Sequence, residues 1–283
     1  MRPNKDLERC SDSVGTQSAL AGVRRMQTFS SDGVEIAFLD TGAASETAVR
    51  PPVLLIHGFA SNVAANWVNT GWVRTLTDAG HRVVAFDNRG HGESQKLYDL
   101  DEYGAPLMAE DARRLLDHLG IAKAHIMGYS MGARICAFLL MRHPDRVASA
   151  IFGGLGINMV RGMTGRGDTI AEALEASSLD DVTNPGGRVF RAFAEQTKSD
   201  LRALAACMRS ARAPITVEAI ARVNCPVMVA VGSDDTIAGS AAELAALIPG
   251  ANYTEIAGRD HMKAVGDKGF KSAVLEFLAA NTN

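Results

Sequence analysis

The segment Gly128–Gly132 has the residue types of a catalytic serine held on a tight turn. It reads Gly-Tyr-Ser-Met-Gly, with a short apolar run before it and a helix-like run from Ala133 to Met141 after it. A Gly-x-Ser-x-Gly pattern between a strand and a helix is typical of a nucleophile elbow, where glycines avoid backbone collisions. The helix N-terminus adds N–H groups and a partial positive charge that suit an oxyanion. The segment predicts Ser130 as a nucleophile.

A serine hydroxyl needs a base, and His261 is the histidine that its position favours. It follows the last predicted strand, at the edge of the sheet where Ser130 must be exposed. His57 and His91 lie in other loops at the same edge and are weaker candidates. The other histidines are predicted to lie on the surface or at helix ends: His81, His118, His125 and His143.

The carboxylate that orients the histidine must come from another strand end. The predicted strand Val227–Val231 is followed by Asp234 and Asp235, and location alone admits either of them. The end of the preceding strand, residues 153–158, carries no acid. The order along the chain is therefore serine, aspartate, histidine.

Two backbone N–H groups are predicted to hold the oxyanion. One belongs to Met131, directly after the nucleophile, and the other to Phe59, in the loop after Val53–Ile56. Gly58 allows the backbone of that loop to approach the site closely.

These candidates require strands that end at one common edge, and the hydrophobic pattern predicts such strands. Alternation around Ser31-Asp32-Gly33 indicates a hairpin, and short continuous apolar runs indicate buried parallel strands. Helical spacing recurs between the runs, as in Met108–Leu119. The predicted fold is α/β, with an eight-stranded, mostly parallel, doubly wound sheet. The predicted strands are Arg25–Ser30, Val34–Asp40, Val53–Ile56, Val83–Phe86, Ala124–Met127, Val147–Phe152, Val227–Val231 and Tyr253–Ile256.

Residues 156–224 interrupt the alternation and are predicted to form a helical lid. They contain helical pieces and glycine-rich loops, such as Arg161–Gly167 and Pro185–Gly187, but no strand pattern. An insertion that follows a strand begins where open α/β sheets bind ligands, so it can cover the site. The candidate substrate-binding residues, for which packing on the core is the alternative role, are Tyr129, Met159, Met163, Phe190, Phe193 and Met208.

The predicted domains are a flexible N-terminal tail (1–25), a core (26–155 and 225–283) and the lid (156–224). The 283 residues are 47% hydrophobic, and the net charge of −3 gives no basic footprint for nucleic acid. No apolar run reaches the roughly 18 residues of a membrane span. The scattered cysteines and the polar N-terminus favour a cytoplasmic location. We expect no metal and no cofactor, and the oligomeric state is left open.

The chain resembles the α/β-hydrolase superfamily, in particular its small, lidded serine esterase and perhydrolase-like members. The resemblance covers about residues 26–280. It implies that the acid lies three residues after the strand-ending glycine, which selects Asp235 over Asp234. The serine at the elbow differs from the aspartate nucleophile of haloalkane dehalogenase-like and epoxide hydrolase-like relatives. The resemblance rests on His57-Gly58-Phe59, Asp87–Ser94, Gly128–Gly132, Gly232–Asp235 and Gly258–His261.

Residues and resemblance together imply a serine hydrolase that cleaves a small to medium carboxylic ester through an acyl-enzyme intermediate. Ser130, His261 and Asp235 would form the triad, and the partner would be a small-molecule ester. One alternative keeps the triad for perhydrolase, lactone, amide or carbon–carbon bond chemistry. Another is a ligand-binding, receptor-like member with slow turnover.

Overall fold

A computed structural model describes residues 26–42, 50–162, 166–210 and 212–281 of the chain. The predictions for residues 1–25 and for Met163 lie outside the described residues. The strands of the described chain are β1 (Gln27–Ser31), β2 (Val34–Asp40), β3 (Val53–Ile56), β4 (Val83–Phe86), β5 (Ala124–Tyr129), β6 (Val147–Gly153), β7 (Val227–Gly232) and β8 (Asn252–Ile256).

All eight strands form one sheet, in the order β1-β2-β4-β3-β5-β6-β7-β8. The β1–β2 hairpin pairs antiparallel to β4, and β3 to β8 run parallel to one another. Asp32 and Gly33 at the hairpin turn both have positive φ, at 53° and 86°, as a two-residue type I′ turn requires. The predicted eight-stranded, mostly parallel, doubly wound sheet is confirmed.

Helices cover both faces of the sheet, which explains why the central strands are continuously apolar. Helices α2, α3 and α9 pack on one face, and α1 and α10 pack on the other. A π-helical turn, Ala64–Val68, precedes α1. The helices are α1 (Trp72–Asp78), α2 (Ala105–His118), α3 (Met131–Arg142), α4 (Asn158–Arg161), α5 (Arg166–Glu175), α6 (Pro185–Gln196), α7 (Leu201–Arg209), α8 (Val217–Ile220), α9 (Ala241–Ala246) and α10 (Lys268–Ala280).

The segment between β6 and β7 contains α4 to α8, and we call residues 156–224 the insertion. Its role as a lid stays a prediction. The prediction of a loop at Pro185–Gly187 is wrong, because α6 begins at Pro185. The Asn184 side chain accepts a hydrogen bond from the Gly187 N–H at 2.9 Å, and proline suits the first helical position. This cap places both glycines in a first turn that tolerates them.

His125 corrects a second prediction, because it is fully buried on β5 rather than exposed. Its Nδ1 lies 2.8 Å from the Ser149 hydroxyl on β6, so the polar ring has a partner inside the sheet. His81 is also buried, and its ring packs edge-on against His125. A polar residue within a short apolar run is therefore not evidence for a surface position. Among the described helices, none has the length and apolar character to cross a membrane.

Candidate active site

Ser130 lies on the turn between β5 and α3, in a strained backbone conformation. Its φ is 55° and its ψ is −112°, a backbone conformation that residues other than glycine rarely adopt. The Ser130 N–H donates to the Gly153 carbonyl at 2.8 Å, which anchors the turn to β6. The turn therefore holds the serine side chain away from the regular path of both elements.

The two glycines of the motif let the turn pack against the backbone around it. A Cβ on Gly128 would lie 2.2 Å from the carbonyl carbon of Gly132. A Cβ on Gly132 would lie 1.9 Å from the carbonyl oxygen of Ile56 on β3. Both distances are far below van der Waals contact, so any side chain would force the backbone apart.

Hydrogen bonds connect the three predicted triad side chains in one line. His261 Nε2 lies 3.0 Å from Ser130 Oγ, and His261 Nδ1 lies 2.7 Å from Asp235 Oδ2. The Asp235 carboxylate can only accept from Nδ1, so Nε2 is left to accept the serine proton. The residues follow β5, β7 and β8, which are parallel and end at one edge of the sheet. A serine nucleophile, its base and an orienting acid require this geometry, and the catalytic roles of the three residues stay a prediction.

The carboxylate of Asp235 is enclosed and fully hydrogen-bonded. Its side chain is completely buried, and Oδ1 accepts the N–H groups of Ile237 at 2.8 Å and Ala238 at 2.9 Å. Asp234 is exposed instead, and its carboxylate accepts the Ser233 hydroxyl at 2.9 Å. The structure thus brings Asp235, and not Asp234, to the histidine.

The predicted oxyanion loop lies directly against the elbow. A Cβ on Gly58 would be 3.2 Å from the Tyr129 carbonyl oxygen and 3.5 Å from Ser130 Cβ. Phe59 and Met131 line the same cavity as Ser130. Among the hydrogen bonds of the described residues, none uses the N–H of Phe59 or of Met131. Both donors are therefore available to a ligand, and their role in the oxyanion hole stays a proposal.

His57 and His91, the weaker candidates for the base, lie beneath the site and do not contact Ser130. The Nδ1–H of His57 donates to the Gly58 carbonyl at 2.7 Å, and its Nε2 accepts from the Asn88 N–H at 3.0 Å. Burial lowers the pKa of His57 to about 4 and that of His91 to about 3. Both rings are neutral supports of the oxyanion loop.

A cavity of about 390 Å³ opens beside Ser130, between the sheet edge and the insertion. Of the predicted pocket residues, Phe190 and Met208 line it. The Phe190 ring packs edge-on against Phe59, with centroids 6.0 Å apart, and the Thr197 hydroxyl lies 2.9 Å from the Ala60 carbonyl oxygen. The insertion therefore contacts the oxyanion loop directly.

Three other predicted pocket residues do not line this cavity. Met159 is fully buried in the core, and Phe193 packs against that core from α6. Tyr129 points to the opposite face of the sheet, since successive strand residues alternate in direction. Its hydroxyl donates to the His261 carbonyl at 2.6 Å, so it supports the histidine loop instead of the ligand.

The cavity also contains residues that the sequence did not single out, above all Arg134. It lies four residues after Ser130 on α3, and helical spacing places such a pair on one face. The four-residue spacing between Ser130 and Arg134 could have identified Arg134 as a candidate from the sequence. Among the described residues, no cluster of histidine, cysteine, aspartate or glutamate has an arrangement that would hold a metal ion.

Comparison with known proteins shows similarity to alpha/beta hydrolases. A family model for the alpha/beta hydrolase fold matches residues 51–160. The chain is 27% identical to the non-heme chloroperoxidase CPO-A1 of Kitasatospora aureofaciens, over 87% of this chain and 97% of that protein. It is 42% identical over 101 residues to a dihydrolipoyllysine-residue acetyltransferase component of the acetoin cleaving system of Pseudomonas putida. That match covers 35% of this chain and only 25% of the component.

Among solved structures, a hydrolase from Pseudomonas aeruginosa PA01 superposes with a TM-score of 0.72. The two chains are 25% identical, and the superposition covers 89% of this chain and 98% of that one. The sheet order, the elbow and the family model agree with this similarity. The chain therefore has the α/β-hydrolase fold, and its residues 51–160 match the family model for that fold.

Proposed function

We propose that the protein is a serine hydrolase that cleaves a small to medium carboxylic ester through an acyl-enzyme intermediate. The observation that carries the proposal is the line of hydrogen bonds from Asp235 through His261 to Ser130. Ser130 also lines a partly enclosed cavity, which offers a place for an acyl group.

In the first half of the reaction, His261 Nε2 takes the proton of Ser130 as Oγ attacks the ester carbonyl. Asp235 holds the imidazole in the correct tautomer and stabilises the imidazolium that forms. The N–H groups of Phe59 and Met131 hold the oxyanion, where loss of one donor typically costs about 10²–10³ in rate. His261 then protonates the leaving alcohol, and the acyl group remains on Ser130.

In the second half, His261 takes a proton from water, which attacks the acyl-enzyme and releases the acid. Hydrogen peroxide in place of water would give a peracid and free Ser130 by the same steps. The similarity to a chloroperoxidase over nearly its full length favours testing this second candidate. Ser130 is the nucleophile in both cases, and only the acceptor of the acyl group differs, which is water or hydrogen peroxide.

Fluorophosphonate labelling followed by a series of p-nitrophenyl esters tests the proposed function. We expect label on Ser130, and we expect Ser130→Ala to lower kcat by several orders of magnitude. Ser210→Ala is the matched control, because Ser210 lines the same cavity but donates to the Cys207 carbonyl.

Near-full esterase activity in the Ser130→Ala protein would contradict the proposal. Adding hydrogen peroxide to the wild-type assay and measuring peracid separates the second candidate from simple hydrolysis. Lactone and amide substrates in the same assay test the other chemistries that this triad supports.

A further inference from the structure

Positive charge is concentrated in the cavity beside Ser130. Its lining includes Arg134, Arg161 and Arg212 but no aspartate or glutamate among the described residues. Arg161 is paired, because its guanidinium lies 2.6 Å from the Glu243 carboxylate. Within the described part of the chain, Arg134 and Arg212 form no ion pair with a carboxylate.

Arg134 is held in a fixed position one helical turn after the nucleophile. Its guanidinium donates to the Met159 carbonyl at 2.7 Å and also to the Ala213 carbonyl. These contacts use two of its five N–H groups, and within the described part of the chain the other three have no hydrogen-bond partner and are available to a ligand. The residue is half-buried, which increases the strength of any charged interaction that it makes.

Arg212 follows α7 and places a second guanidinium in the same cavity. One of its terminal nitrogens lies 2.7 Å from the Met208 sulfur, which also lines the cavity. Burial and the charge of Arg212 together lower the pKa of Arg134, so the two groups lie within electrostatic reach. Two like charges in a mostly apolar space repel one another, and an anion between them would relieve that cost.

We propose that this cavity binds a carboxylate group of the substrate through Arg134 and Arg212. A guanidinium presents a planar fork that matches a carboxylate, and paired guanidinium groups select for a charged acyl tail. The inference rests on the proposed function and narrows it to half-esters of dicarboxylic acids. Ser130 would attack the ester carbonyl, the alcohol would leave, and water would release the dicarboxylate.

A purely structural role for Arg134 is the competing explanation, since its two carbonyl contacts attach the insertion to α3. Arg212 separates the two explanations. Among the described residues, Arg212 donates only to the sulfur of Met208 on its own segment, so a purely structural role predicts little effect on substrate preference when Arg212 is replaced. The test is therefore centred on Arg212.

The experiment compares the mono-p-nitrophenyl ester of adipic acid with the same ester methylated on its free carboxyl. We expect wild-type kcat/KM to favour the free acid about tenfold or more, the size of one charge-assisted hydrogen bond. Arg212→Met should remove at least most of that preference. Arg188→Met is the control, because Arg188 is exposed on α6 and does not line the cavity.

Adipate binding to the Ser130→Ala protein, measured by calorimetry, provides a readout that needs no turnover. We expect binding that Arg212→Met weakens about tenfold and that Arg188→Met leaves unchanged. A wild-type preference for the methylated ester, or adipate binding that Arg212→Met does not change, would overturn the inference. If neither ester is hydrolysed while adipate binds through Arg212, the carboxylate site stands and the proposed function fails.

Discussion

At the scale of single residues, the site depends on which of two adjacent aspartates faces the histidine. Asp235 lies in a closed pocket of N–H donors with one oxygen on His261, whereas Asp234 is exposed to solvent. A carboxylate that is already fully hydrogen-bonded needs no reorganisation during the reaction, so it can hold the imidazole rigidly.

Asp235→Asn and Asp234→Asn test this difference directly. Asparagine at 235 stabilises the wrong imidazole tautomer, and kcat should fall about 10⁴-fold with little change in stability. Asp234→Asn should leave kcat within about twofold, because the Asp234 carboxylate is exposed and is hydrogen-bonded to Ser233 and not to His261. Steady-state kinetics on one p-nitrophenyl ester measures kcat for both variants. An equal loss of kcat in both would contradict the assignment of Asp235 as the orienting acid.

Tyr129 supports the same histidine from the other face of the sheet. Tyr129→Phe removes the hydroxyl that donates to the His261 carbonyl, an interaction worth about 1 kcal/mol. We expect kcat to fall about fivefold with KM unchanged, because Tyr129 does not line the cavity.

The control for this change is Tyr103→Phe. Tyr103 is also buried, and its hydroxyl donates to the Leu97 carbonyl at 2.7 Å, away from the triad. The Tyr103→Phe protein should lose about as much stability as the Tyr129→Phe protein but keep the wild-type kcat. A changed KM with normal kcat in Tyr129→Phe would indicate that the ring contacts substrate after all.

At the scale of elements, the elbow is fixed by the close packing of α3 on β3. The carbonyl oxygen of Ile56 lies where a Cβ of Gly132 would be, so the helix approaches the strand at backbone distance. The same approach brings the oxyanion loop, which follows β3, against Ser130. Helix position and oxyanion geometry are therefore set by one contact.

Gly132→Ala should separate α3 from β3 and destabilise the protein by about 3 kcal/mol. The matched control is Gly266→Ala, where the new Cβ would meet its nearest atom at an ordinary 3.7 Å. Urea denaturation of the two variants measures the difference. Equal stability of both variants would show that the backbone around the elbow can yield.

At the scale of the whole molecule, several histidines are buried as neutral rings. Burial lowers the pKa of His57 and His125 to about 4 and that of His91 to about 3, from an ordinary 6.5. The unfolded chain therefore binds these protons at a higher pH than the folded chain does. The stabilisation is complete above pH 6.5 and is lost as the pH falls toward 4.

We expect the free energy of unfolding to fall by more than about 2 kcal/mol between pH 6.5 and 4.5. His125→Asn should reduce the pH slope by up to one proton, whatever its effect on absolute stability. His118→Asn, at an exposed position on α2, is the control. Urea titrations across this pH range give the slopes, and an unchanged slope in His125→Asn would contradict the expectation.

The sequence alone determined the order of strands and helices, the elbow and the loops that approach it. Buried parallel strands require continuous apolar runs, and their carboxyl ends must meet at one edge, so motifs at strand ends can be placed together. Ser130, His261 and the loop of Phe59 could be located this way because each directly follows a predicted strand. The alternating hairpin pattern and the apolar runs together predicted all eight strands to within one or two residues.

Only the tertiary structure decided which side chains share the cavity. The rotation of each helix and the direction of each strand residue depend on packing, so Tyr129 and Met159 were predicted into the pocket but lie elsewhere. Arg134 and Arg212 lie on segments far apart in the chain, and nothing in their spacing indicates that they meet. Folding brings both charges to the space beside Ser130, where an apolar lining leaves them without a carboxylate among the described residues.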